Sequence, residues 1–121
     1  MKEMRTLSFS EREVMQAVLD LMRRQRQPLP SGQLLGMELE DDPITATLLV
    51  EDDYGERTTI RRNAAELAAS LVNYCIDRRV RLPASGRKFV QVIGGSVNLV
   101  IYMDEPAAKP RPARRAPSVR G

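Results

Sequence analysis

Three groups of side chains in this sequence are chemically capable. The first is basic: Arg23, Arg24 and Arg26; then Arg78, Arg79 and Arg81; then Lys109, Arg111, Arg114 and Arg115. Clustered guanidiniums suit phosphate, because each planar fork donates to two oxygens at once. The second group is acidic: Glu38, Glu40, Asp41 and Asp42, and again Glu51, Asp52, Asp53 and Glu56. Several carboxylates in one place are what a hard cation such as Ca²⁺ or Mg²⁺ requires. The third is one thiol, Cys75.

Each group also has a plainer reading. The two Arg triplets end two helical patterns, where cations complement the helix dipole. The acidic spacing matches no EF-hand loop and falls where turns are expected, and Asp is a common turn residue. Cys75 lies inside a helix on its apolar stripe, where a thiol is inert and buried. The chain has no histidine, so the commonest general base and metal ligand is missing, as are the usual Ser-His and Cys-His nucleophile pairs. No phosphate-cradling glycine pattern is present. The expectation is a non-enzymatic protein with no catalytic, cofactor or metal site and no small-molecule ligand.

The elements that position these groups follow from local signals. Ser10-Glu11-Arg12-Glu13 reads as a capping box, with Phe9 and Val14 as a hydrophobic staple. Val14, Ala17, Val18, Leu21 and Met22 recur at helical spacing, so a helix is predicted from Ser10 to about Gln27, stopped by Pro28 and Pro30. Leu34–Glu40 and Ile44–Glu51 alternate as strands about a two-residue Asp41-Asp42 turn. That turn would set Leu39 opposite Ile44 and Met37 opposite Ala46, with Leu35 on the core face. Residues 4–9 and 56–61 read as further strands. Asn63-Ala64-Ala65-Glu66 is a second capping box, opening a helix to about Arg79. Lys88–Ile93 and Ser96–Met103 form a hairpin about Gly94-Gly95, which sets Val92 opposite Val97, Val90 opposite Leu99 and Phe89 opposite Val100.

These signals recur at an offset of 53 residues. Ser10 falls on Asn63, Glu13 on Glu66, Arg26 on Arg79, Leu29-Pro30 on Leu82-Pro83, and Asp41-Asp42 on Gly94-Gly95. The expected architecture is an α+β two-layer sandwich. Two helices cover one face of a mostly antiparallel sheet, built by duplication of a β-α-β-β unit over about 3–52 and 56–105.

Composition sets the limits. Residues 1–105 read as one domain, with 14 Lys/Arg against 16 Asp/Glu and a net of −2; residues 106–121 add +5. That last stretch holds four Pro and almost no large apolar side chain, so it reads as a disordered basic tail. Only three of the 19 cationic residues are lysine, a bias that a GC-rich genome also produces. No apolar run approaches the ~20 residues of a membrane span, and no signal-peptide pattern opens the chain. With one cysteine, a reducing cytoplasm is the expected setting.

Two functions remain. Phe89, Val100 and Tyr102 make the outer face of the second hairpin apolar, unlike that of the first. This suggests an interaction or regulatory module that binds itself, as a homodimer, or another protein. The alternative is a nucleic-acid-associated protein using the tail and the two Arg triplets.

Overall fold

The computed structural model describes residues 2–104. In chain order the elements are β1 (Lys2–Phe9), α1 (Glu11–Arg24), β2 (Gln33–Glu40), β3 (Thr45–Glu51), β4 (Arg57–Asn63), α2 (Ala64–Asp77), β5 (Arg87–Ile93) and β6 (Ser96–Asp104). The fold is α+β, with two helices packed against two antiparallel sheets of three strands. The strand orders are β1-β6-β5 and β2-β3-β4. Each sheet therefore takes a hairpin from one half of the chain and its third strand from the other half. Sequence periodicity identifies strands but not this exchange, because pairing between β1 and β6 spans almost the whole described chain.

Both helices begin as their sequences dictate. The Ser10 hydroxyl accepts from the Glu13 amide, and Glu13 Oε1 accepts from the Ser10 amide at 2.9 Å. Asn63 and Glu66 repeat the arrangement, both bonds at 2.9 Å. The helices are 14 residues each and begin and end 53 positions apart. They stop earlier than the prolines require, at Arg24 and Asp77. The chain is turned there by a residue in the left-handed region, Arg26 at φ 59° and Arg79 at φ 59°. The Gln27 amide donates to the Met22 carbonyl and the Arg26 amide to that of Arg23; Val80 and Arg79 do the same toward Cys75 and Ile76. These are Schellman closures, in which glycine is the least strained occupant. Arg26→Gly and Arg79→Gly are each expected to raise stability by up to about 1 kcal/mol, the relief of a side chain at positive φ. Urea melts of the single and double variants check this, and the double should be additive.

The helices lie antiparallel. Gln27, just after α1, accepts from Arg62, just before α2, at 3.3 Å. Phe9, just before α1, meets Tyr74 late in α2 edge-on at 6.1 Å. The core between them and the sheets is continuous. Val14, Ala17 and Val18 of α1 and Leu67 and Leu71 of α2 are fully buried against Leu48, Leu99 and Ile101. Two Leu-Pro corners lie against the outer strands. Pro28-Leu29-Pro30 borders a groove along residues 58–62 of β4, and the Arg81 carbonyl accepts from Arg5 of β1 at 2.9 Å.

The first hairpin departs from expectation. Its turn has four residues, so Leu39 pairs with Ala46 and Met37 with Leu48, two residues away from the predicted register. Pro43 is the cause: it has no N–H to donate to a ladder, so the strand starts only at Thr45. The faces survive, because a shift of two preserves alternation. A bulge between Leu34 and Gly36 also turns Leu35 outward. Leu35 is 44% exposed rather than in the core, and Leu34 packs in its stead. The second hairpin has its predicted register throughout, with Gly94 and Gly95 both at positive φ.

Candidate functional site

The two sheets allow a direct comparison of their outer faces. In the sheet β2-β3-β4 the inward residues of β3 are Ala46, Leu48 and Val50, all buried. The outward row through the middle of that strand is Arg61–Thr47–Glu38. Opposite charges flank a threonine, a row that water solvates well. In the sheet β1-β6-β5, Val97, Leu99 and Ile101 point inward. The outward row is Thr6–Val100–Phe89, and beside it runs Met4–Tyr102–Arg87. The predicted residues Phe89, Val100 and Tyr102 thus share one face.

That face has a layered character. Val100 is 2% exposed, yet among the described residues it is the one buried apolar residue that stands outside the core cluster. Phe89 and Tyr102 are half-buried on either side of it. Met4, 66% exposed, extends the apolar surface to the β1 margin, whereas Ile93, 51% exposed, stands apart beyond the polar row Ser8–Asn98–Gln91. Tyr102 lies between two cations, Arg87 at 5.2 Å and Lys2 at 6.0 Å from its ring centre. Such cation–aromatic contacts hold a ring upright beside a polar rim.

The basic residues behave differently from one another. Arg23 and Arg78 converge on the Asp20 carboxylate, at 3.4 and 3.7 Å. Arg78 also stacks 3.6 Å over the Tyr74 ring, and Arg24 donates to Asn73 Oδ1 at 2.7 Å. Three of the six helix-end arginines therefore meet at the helix–helix seam, and their first partners are groups of this chain. Arg26 and Arg79 are exposed at the two far ends of the antiparallel pair, and Arg81 is exposed beside β1. The two triplets do not form matched patches, because only the second places an arginine at the helix cap. Lys109, Arg111, Arg114 and Arg115 lie outside the described residues, as does the predicted tail.

The acidic clusters supply turns. Asp52 Oδ1 accepts from the amides of Tyr54 and Glu56, closing the loop into β4. Glu11 of α1 accepts from the Met37 amide of β2 at 3.1 Å, which ties the helix start to that strand. Among the described residues no three His, Cys, Asp or Glu side chains come together as a metal group. Cys75 is buried in the core, and burial pushes its pKa up, Glu13 adding to the rise and Arg5 opposing it. Its thiol is therefore held protonated rather than activated.

Sequence reasoning missed Asn73. The residue is 7% exposed, and its Nδ2 has no hydrogen-bond partner among the described residues. No local period could have flagged it, because it lies two residues from Leu71 and from Cys75, off the apolar stripe of α2. Among the described residues no helix is long and apolar enough to cross a membrane. Comparison with known protein families, with curated proteins and with solved structures finds nothing that matches this chain.

Proposed function

We propose that the protein is a non-enzymatic interaction module that associates with a second copy of itself through the outer face of β1-β6-β5. One observation carries this reading. Thr47, flanked by Arg61 and Glu38 on the outer face of one sheet, is replaced 53 positions on by Val100, flanked by Thr6 and Phe89 on the other. The polar row belongs to a sheet that folds against the same core, so folding alone does not demand the apolar row. We read the halves as two copies of one β-α-β-β unit, and the outer face as where they were put to different use. An isologous pairing fits, since a sheet face can meet its own image across a two-fold axis.

The full chain is expected to run as a dimer by light scattering. Phe89→Ser combined with Tyr102→Ser should give a monomer with an unchanged far-ultraviolet spectrum, because both side chains lie outside the core. A wild-type protein that stays monomeric where a standard-size interface would be saturated sinks the proposal.

The alternative, contact with nucleic acid, has less support. Arg23, Arg24 and Arg78 are engaged within the chain, and Asp20 offsets part of their charge. That reading requires binding that weakens steeply with salt. An absence of binding at low salt by the complete chain removes it.

A further inference from the structure

The helix layer holds a second feature, independent of the sheet face. A shallow groove of about 490 Å³ runs over α2. Ala68, Val72 and Ile76 form its floor at successive turns, Leu21 and Arg24 of α1 border one side, and Lys88 of β5 also lines it. Ile76 is 59% exposed, the most open large aliphatic side chain on either helix. Both charged lining residues are cations. Asn73 lines the groove as well, more than nine-tenths buried, with Oδ1 taken by Arg24 and Nδ2 buried and unpartnered among the described residues.

The other helix shows what this arrangement lacks. Asp20 is the tenth residue of α1 and Asn73 the tenth of α2. Asp20 receives Gln16, the sixth residue of α1, at 2.7 Å, besides Arg23 and Arg78. The sixth residue of α2 is Ala69. Where α1 has an amide reaching its polar residue, α2 has a methyl group, an open groove and a buried donor with no acceptor. A buried unpaired donor costs free energy that a bound acceptor recovers.

We infer that this groove docks an acidic, aliphatic-rich segment of a partner protein. One carboxylate seats over Ala69 between the charges of Arg24 and Lys88, and the Asn73 side chain, whose Nδ2 is covered in the free chain, turns to donate to it. Neighbouring leucine-like side chains cover Val72 and Ile76. The small residues at 68 and 69 let the segment approach α2 closely, and the open shape suits a peptide better than an enclosed small molecule.

The test uses the isotope-labelled full chain titrated with a capped amphipathic peptide carrying Leu and Glu on successive helical turns. The Asn73 side-chain amide resonance should move together with those of Ile76 and Lys88. The Glu→Gln peptide should bind about tenfold more weakly, the share of one charge-assisted hydrogen bond. Ala69→Gln should fill the place of the carboxylate and abolish binding while melting no lower than wild type. Lys88→Gln, which keeps the partly buried stem of that side chain, should weaken binding without altering the fold. Undiminished binding to Ala69→Gln, equal affinity for the Gln peptide, or an Asn73 amide that never moves would each overturn the inference. So would decanoate saturating these resonances when the peptide does not, which would assign the groove to a small amphiphile.

Discussion

Gly32→Ala is expected to destabilise the fold by about 3 kcal/mol or more, because two penalties coincide. Gly32 has φ 126°, a conformation that L side chains rarely adopt, and a Cβ there would overlap the Glu51 carbonyl oxygen. Its other near neighbours are also backbone, the Glu51 carbonyl carbon and Asp52 Cα, so no rotamer change relieves the contact. The corner after α1 must pass this close to the end of β3 for β2 to enter its sheet. Gly55→Ala is the control. Its φ of 80° is likewise positive, but a Cβ there meets nothing within 4 Å. That variant should lose only about 1 kcal/mol, the conformational share alone. Denaturant unfolding of both measures the difference. Equal losses would show that the close approach at Gly32 relaxes freely.

Leu99→Ala should be comparably severe. Leu99 is fully buried at the centre of β6, opposite Leu7 and Val90. Truncating a buried leucine leaves a cavity and typically costs about 3–5 kcal/mol, a large share of the roughly 5–15 kcal/mol that holds a domain together. The next residue along the strand gives the contrast. Val100→Thr should cost less, about 1–3 kcal/mol for burying a hydroxyl, since Val100 is buried where Thr47, at the matching place in the other sheet, is half-buried. Any loss of self-association in Val100→Thr should come through the half-buried Phe89 and Tyr102 beside it, since Val100 itself offers a partner almost no surface. Two neighbouring buried side chains are thus separable, one serving the core and the other the outer face. If Val100→Thr unfolds the chain as readily as Leu99→Ala, the outer face belongs to the fold and its role in association loses its basis.

Much of this was legible in the residues. The capping boxes at Ser10 and Asn63, the apolar stripe of Val14, Val18 and Met22, and the Gly94-Gly95 turn are local signals set by neighbours within a few positions. The common face of Phe89, Val100 and Tyr102 followed from strand alternation once that turn was placed. The first hairpin was less legible. Reading Asp41-Asp42 as its whole turn ignored Pro43, whose missing N–H delays the ladder to Thr45. Leu35 looked like a core residue because alternation was assumed unbroken, and a bulge one position away reversed it.

Asn73, Asp20 and the arginines around them mark the other boundary. Their helical positions were plain from the sequence. That Arg24 reaches Asn73, that Arg78 crosses to Asp20, and that Asn73 Nδ2 is left without an acceptor depend on how α1 and α2 lie against each other. So does the exchange of β1 and β4 between sheets. By itself the sequence determined the elements, their caps and which residues share a face, because those follow from backbone geometry over a turn or a pleat. Only the tertiary structure decided which strands pair and which polar groups are satisfied. Those contacts join residues distant in sequence, and no local period encodes them.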